Sequence, residues 1–244
     1  MNSPRLIFIS GWASGASCWN TIIETIDRPV SCRHVNWWEC LNDNSEQNAL
    51  WQILEQEKVD VILAGWSLGA LTALEGFAFK PDSVKALVLI SGTSRMTSNG
   101  SYPGADARVL TAMNARLRRT PRRVLEEFAR RCIDDGLKSS SETDTFIDRF
   151  VQQAEHLGTD HLTAGLAYLQ KKDLRNILPK INIPVRLIHG DCDRVIPVEC
   201  ARYMQNKIPE ARLVEIHGGS HALLHTAPFR VAGFIREALD ANFN

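Results

Sequence analysis

The stretch Val59-Asp60-Val61-Ile62-Leu63-Ala64-Gly65-Trp66-Ser67-Leu68-Gly69-Ala70-Leu71-Thr72-Ala73-Leu74-Glu75-Gly76-Phe77 changes character in its middle. Its first third is short, apolar and β-branched, as a buried strand is. Its last third reads as a helix. Between them stands Gly65-Trp66-Ser67-Leu68-Gly69, a G-x-S-x-G pentapeptide. In a strand, sharp turn, helix setting this motif is a nucleophile elbow, which lifts a serine hydroxyl clear of a sheet. Glycines flank the serine because a Cβ at either position would collide with the neighbouring strand or helix. The plainer alternative is a glycine-containing strand–helix loop with an incidental serine.

Outward from this stretch, apolar runs of strand length recur at Leu6–Ile9, Cys32–Val35, Ala86–Ile90, Val185–His189 and Leu213–Ile216. Most are separated by amphipathic stretches: Trp19, Ile22, Ile23 and Ile26 share one helical face, and Leu50, Ile53 and Leu54 share another. Strands alternating with helices predict an α/β fold, a mainly parallel sheet covered on both faces. The alternation breaks over 93–183, which reads as helical without strands. A helix is expected from Thr120-Pro121 to a stop at Gly136, with Val124, Leu125, Phe128 and Ile133 inward. A second starts near Ser141, turns Phe146, Ile147, Phe150 and Val151 inward and stops at Gly158; a third carries Leu162, Leu166 and Leu169. The division expected is a core of 1–92 and 184–244 and a helical lid of 93–183 over the active-site end of the strands.

Composition narrows the function classes. With 28 basic and 28 acidic residues in 244, no global field favours nucleic acid or a membrane surface. No apolar run approaches the ~20 residues of a transmembrane helix, and Met1 to Arg5 lead into an apolar strand without a signal-peptide pattern. The six cysteines, at 18, 32, 40, 132, 192 and 200, form no C-x-x-C and no zinc-finger spacing. They read as free thiols of a reducing cytoplasm, in a protein with no metal or organic cofactor and expected to be a monomer.

A serine hydroxyl is a poor nucleophile until a base takes its proton, and the base needs a third group to orient it. In an elbow fold these follow in the order Ser, acid, His, on loops after strands. The loop after Val185–His189 offers Asp191 and Asp193. Asp193 is favoured as the acid, since Asp191 lies nearer the strand end, where it can stabilise the turn. After Leu213–Ile216 come His217, His221 and His225. Gly218-Gly219 breaks any helix that would set the first two as metal ligands. His221, after the loop and before a helix, is the best base; His217 sits at the strand end and His225 one turn on. His34, His156, His161 and His189 have no motif context. Two backbone N–H groups should receive the oxyanion, one from Leu68 and one from Trp12, whose indole is available to line the acyl pocket.

These residues, in this order, resemble the α/β-hydrolase superfamily over nearly the whole chain. Within it the chain is similar to the BioH family, the pimeloyl-[acyl-carrier protein] methyl ester esterases of biotin synthesis. Four segments carry the likeness: Gly11-Trp12 with Trp19; Gly65 to Gly69; Tyr102-Pro103-Gly104; and Gly165-Leu166 to Asp173-Leu174-Arg175. The resemblance implies Ser67, Asp193 and His221 as a triad and Trp12, Leu68 and Phe128, with the stretch following Phe128, as substrate-binding positions. It implies a methyl-capped pimeloyl chain delivered by acyl-carrier protein, received on basic lid residues. Arg108, Arg116, Arg118, Arg119, Arg122, Arg123, Arg130 and Arg131 crowd the lid, although Glu126/Arg130 and Glu127/Arg131 have i,i+4 spacing for pairing among themselves. Arg123 matches a carrier-contacting basic position of the family, whereas one turn on stands Glu127.

The chain also departs from that pattern. Ser10 replaces the usual His before Gly11, and Trp37-Trp38-Glu39-Cys40-Leu41-Asn42 replaces a glycine-rich turn. The usual N-terminal hairpin is missing, so about six strands are expected rather than eight. Ser10, Trp37 and Trp38 are expected to reshape the pocket. Alternatives to the carrier-linked ester are a carboxylesterase or thioesterase for a free small molecule, a lyase sharing the triad, and a ligand receptor on a hydrolase scaffold. Dehalogenase or epoxide hydrolase chemistry is disfavoured, since those sites carry Asp where this chain has Ser67.

Overall fold

A computed structural model describes residues 4–41, 49–79, 81–133 and 139–241. Asn42 and the expected helix stop at Gly136 lie outside the described residues. Six strands form one sheet: β1 (Arg5–Ile9), β2 (Cys32–Val35), β3 (Val61–Trp66), β4 (Val84–Ile90), β5 (Val185–Gly190) and β6 (Ala211–Ile216). Their order is β2-β1-β3-β4-β5-β6, and every pairing is parallel. The fold is thus α/β-hydrolase-like, with the expected six strands. The helices are α1 (Asn20–Ile26), α2 (Leu50–Gln56), α3 (Leu68–Phe79), α4 (Ala107–Leu117), α5 (Pro121–Ile133), α6 (Ser140–Glu155), α7 (Gly158–Lys171), α8 (Val198–Lys207), α9 (Leu223–Thr226) and α10 (Pro228–Asp240).

The two-residue period of the strands divides the core. Leu6 and Phe8, Ile62 and Ala64, and Ala86 and Val88 face α1 and α10. Ile7 and Ile9, Leu63, Leu87 and Leu89, and Leu187 face the opposite layer, which contains α2, α3 and α8. Both faces of the sheet are covered, which is why the central strands read as unbroken apolar runs. The strand order reverses between β1 and β3, and in open parallel sheets the crevice at that switch point is where ligands bind. Trp12, after β1, and Ser67, after β3, stand at its rim.

Four helices, α4 to α7, occupy the chain between β4 and β5. Helix α4 was not among the expected elements. Its buried residues are only Leu110 and Leu117, so its apolar stripe is too thin to announce itself, although Asp106 caps it by accepting from Arg108 N at 2.9 Å. Helix α6 starts one residue before Ser141 because Ser139 serves as its N-cap, accepting from Glu142 N at 3.2 Å. Thr120 precedes α5 with its carbonyl accepting from Val124 N, while its hydroxyl donates back to the Arg116 carbonyl instead of capping. The ends of the segment are tied together: Leu174 N donates to Ser94 O at 2.8 Å, and Arg95 pairs with Asp173 at 2.7 Å.

Helix α7 is seated on the core by three contacts. Gly165 lets it approach two indoles, since a Cβ there would lie 2.6 Å from atoms of both Trp12 and Trp37. The Trp12 indole N–H donates to Leu162 O at 2.9 Å. Buried Glu75 of α3 accepts from the Tyr168 hydroxyl at 2.7 Å and pairs with Lys172. Ser10 and Trp37, which belong to two of the departures from the family pattern, are joined: Trp37 N donates to buried Ser10 Oγ at 3.2 Å. Trp37 therefore supports α7 from below, whereas Trp12 forms part of the cavity wall.

Gly165→Ala separates two opposed effects. Helix propensity alone favours alanine by up to ~1 kcal/mol. Overpacking against two buried indoles costs about 1–3 kcal/mol. The second should win, lowering the thermal midpoint by several degrees; a raised midpoint would contradict the docking of α7 described here.

Candidate active site

Ser67 has φ +56°, the left-handed region that a non-glycine residue adopts only under constraint. The constraint is visible. A Cβ on Gly65 would lie 2.3 Å from Gly69 O, and one on Gly69 would lie 2.3 Å from Ile9 O. Helix α3 thus crosses β1 and β3 at backbone contact, and Ser67 N is anchored to Ile90 O at 2.9 Å. The turn left to Ser67 is the tight one that aims Oγ away from the sheet.

Oγ meets His221 Nε2 at 2.9 Å, and His221 Nδ1 meets Asp193 Oδ2 at 2.7 Å. Ser67, Asp193 and His221 are all buried. An ionised Asp193 only accepts, so Nδ1 carries the imidazole proton and Nε2 is left to accept from the serine. The other carboxylate oxygen, Asp193 Oδ1, accepts from Val195 N and Ile196 N, each at 2.8 Å. Burial alone would push the Asp193 carboxyl up. The charge of His221 and the hydrogen bonds from His189 and His221 overcome it and hold the group well below the usual carboxylate range.

Trp66 and Ser91 hold His221 from behind. The Trp66 indole N–H and the Ser91 hydroxyl each donate to His221 O at 3.0 Å. Sequence reasoning gave neither residue this place, and it also passed over His189. This buried histidine lies with Nε2 2.9 Å from Ile196 O and 3.2 Å from Asp193 Oδ2. Both are acceptors, so Nε2 carries a proton and Asp193 faces two imidazoles. The i,i+4 spacing of His189 and Asp193 was the one available signal.

The competing residues fall elsewhere. Asp191 accepts from Gly218 N at 2.7 Å and pairs with fully exposed His217 at 2.9 Å, bracing the ends of β5 and β6. His225, on α9, lies against the Phe146 ring, 5.1 Å between centroids. Leu68 opens α3, so its N–H has no acceptor in a preceding helical turn and is available beside Ser67. Trp12 is in the turn just after β1. Its indole ring faces the cavity, but its indole N–H is already committed to Leu162 O.

A cavity of about 470 Å³ opens on Ser67 and Asp193. Trp12, Phe128, Met113, Leu110, Leu166 and Leu169 make most of its wall apolar, with contributions from α4, α5 and α7. Phe128 stands edge-on to Trp12, 4.9 Å between centroids. The arginine-rich stretch pairs differently from the expected Glu126/Arg130 and Glu127/Arg131. Glu126 pairs with Arg122 at 3.0 Å, and Glu127 with Arg123 at 3.1 Å and Arg116 at 2.8 Å. Helical side chains lean toward the N-terminus, which brings each glutamate back toward the preceding turn. Arg116 of α4 adds a two-pronged contact that fixes Glu127 there. Arg130 instead reaches Asp144 of α6 at 3.8 Å.

Among the described residues, no helix is long and apolar enough to cross a membrane. A family model described as the alpha/beta hydrolase family matches residues 6–234. A pimeloyl-[acyl-carrier protein] methyl ester esterase of Nitrosomonas europaea is 27% identical over 91% of this chain and 90% of its own. One of Pseudoalteromonas atlantica is 25% identical over 94% and 93%. Among solved structures, an esterase from Exiguobacterium antarcticum superposes with TM-score 0.84 at 18% identity, covering 98% of this chain and 93% of its own. A bromoperoxidase from Bacillus anthracis superposes with TM-score 0.82 at 21% identity, covering 99% and 92%. At these identities the structural likeness concerns the fold.

The depressed Asp193 sets a pH expectation. A carboxyl held well below its ordinary range stays ionised through weak acid, so Asp193 takes up no proton on the acid limb. A pH profile of kcat/KM should therefore fall no more steeply than one proton on its acid limb. A limb as steep as two protons would mean that Asp193 is protonated together with its neighbour.

Proposed function

Because the chain belongs to the alpha/beta hydrolase family, we propose that it is a serine hydrolase cleaving carboxylic esters through an acyl-enzyme on Ser67. The observation that carries this reading is the buried relay from Ser67 Oγ to His221 at 2.9 Å and from His221 to Asp193 at 2.7 Å. His221 Nε2 takes the serine proton as Oγ attacks the ester carbonyl. The imidazolium so formed is stabilised by ionised Asp193, then protonates the departing alcohol. Water enters, loses its proton to His221 and attacks the acyl carbonyl, and His221 returns that proton to Ser67 Oγ as the acid leaves. Proton transfer of this kind contributes roughly 10²–10⁴-fold to rate, and each oxyanion donor, here Trp12 N–H or Leu68 N–H, about 10²–10³-fold.

In this reading residues 93–183 form the lid over a core of 1–92 and 184–244, which agrees with α4, α5 and α7 walling the cavity. The finer proposal is hydrolysis of the methyl ester of pimeloyl-acyl-carrier protein. It rests on the names of relatives 25–27% identical over most of the chain and on the apolar cavity, suited to a methylene chain. Arg123, exposed on α5, is the candidate carrier contact. A second reading, a free small-molecule ester, is favoured by one observation: Arg116, Arg122, Arg123 and Arg130 are all paired with acids of the chain itself. An acidic carrier would have to compete for them.

Ser67→Ala should lower ester turnover by roughly 10⁵–10⁶-fold with the circular dichroism spectrum unchanged. Asp193→Asn should cost about 10⁴-fold, whereas Asp191→Asn should stay within about twofold. Retained turnover in Ser67→Ala would sink the ester-hydrolase reading. Arg123→Glu tests the finer one: it should slow a carrier-linked methyl ester at least about tenfold more than a free methyl ester. Equal effects on both would leave the free ester as the substrate class.

A further inference from the structure

Arg131 lies in the last turn of α5 and lines the same cavity as Ser67. The other charged groups of that wall are engaged. Asp106 is held by Arg108 at 2.6 Å, Asp193 by its two imidazoles, and Arg194 has an interaction of its own. The neighbouring arginines of α4 and α5 are also taken, Arg116 and Arg123 by Glu127, Arg122 by Glu126 and Arg130 by Asp144. Glu127, four residues before Arg131, points back to Arg123 and so leaves Arg131 without it. Among the described residues no carboxylate pairs with Arg131.

A guanidinium at the edge of an otherwise mostly apolar cavity, with no counter-ion among the described residues, is suited to recognise an anion. Its planar fork donates in parallel to the two oxygens of a carboxylate. We propose that Arg131 is a specificity-determining residue that reads a carboxylate at the far end of the acyl chain. The substrate class is then the half-ester of a straight-chain dicarboxylic acid, with its ester at Ser67, its methylenes along Phe128, Leu166 and Met113, and its free acid at Arg131. This rests on the ester-hydrolase reading and deepens it. A phosphate on a carrier arm offers the same chemistry to a guanidinium, so the test separates the two.

The experiment measures kcat/KM of the full chain for the monomethyl and dimethyl esters of dicarboxylic acids of about six to eight carbons. The native protein should prefer the monomethyl ester by about tenfold, the scale of one charge-assisted contact. In Arg131→Gln that ratio should collapse to about one, with Arg131→Lys in between and all thermal midpoints alike. A native ratio near one, or a ratio that Arg131→Gln leaves intact, overturns the proposal. If the native chain hydrolyses neither ester, the ester-hydrolase reading falls with it; if it hydrolyses both equally, only the role of Arg131 falls. A second pair of substrates, methyl-capped acyl thioesters of pantetheine with and without its phosphate, identifies the source. An Arg131-dependent preference seen in that pair alone assigns the guanidinium to phosphate and overturns the carboxylate.

Discussion

Backbone crowding at Gly65 and Gly69 is the constraint on which the rest of the structure depends. With 2.3 Å to the nearest oxygen at either virtual Cβ, helix α3 can lie against β1 and β3 only if both positions lack side chains. That contact brings the end of α3 to the sheet's switch point and forces Ser67 into a left-handed turn. Strain of this kind costs on the order of 1–3 kcal/mol and persists only where surrounding packing over-determines it. Here the packing is the two glycine crossings and the amide bond from Ser67 N to Ile90 O. The same crossings deliver the Leu68 N–H to the serine without any further device.

The other site groups are held by strands other than their own. The loop of His221 follows β6, yet its carbonyl is gripped by Trp66 at the end of β3 and by Ser91 just after β4. The loops of Asp193 and His221 meet where Gly190 and Gly219 touch, a contact with no room for a Cβ: one at Gly190 would lie 2.1 Å from Gly219 O. Cys192 N adds a bond to Gly219 O at 3.0 Å. The relative placement of the three side chains is thus set by the sheet's parallel register, and the loops need only be short. Charge follows the same logic. Asp193 is buried, but four donors converge on its two oxygens, two amides and two imidazoles, so the ionised form is the stable one.

Much of this was legible beforehand because it is local. Six runs of strand length mark six strands: the four central ones are covered on both faces and leave little polar alternation to blur them, whereas β2 and β6, at the edges, are partly exposed. The spacing of Ser67, Asp193 and His221 follows from one loop per strand. What escaped was either thin or long-range. Helix α4 buries two leucines and reads as a polar stretch. Trp66 and His221 are 155 positions apart, and no local pattern foretells that an indole reaches that carbonyl. For Arg131 the pattern misled: a glutamate four residues earlier is a natural partner until Arg116, from another helix, and Arg123 draw it away. Trp37 and Ser10 looked like separate departures and turned out to be one, a donor and its acceptor.

The clasp between the Trp12 indole and Leu162 links two matters that are usually independent. Trp12 is the candidate oxyanion donor through its backbone and the moor of α7 through its side chain. Lifting α7 to admit a bulky guest would pull on the very residue whose amide must stay aimed. This layout leaves the α4 and α5 wall of the cavity open to slender chains without disturbing that mooring.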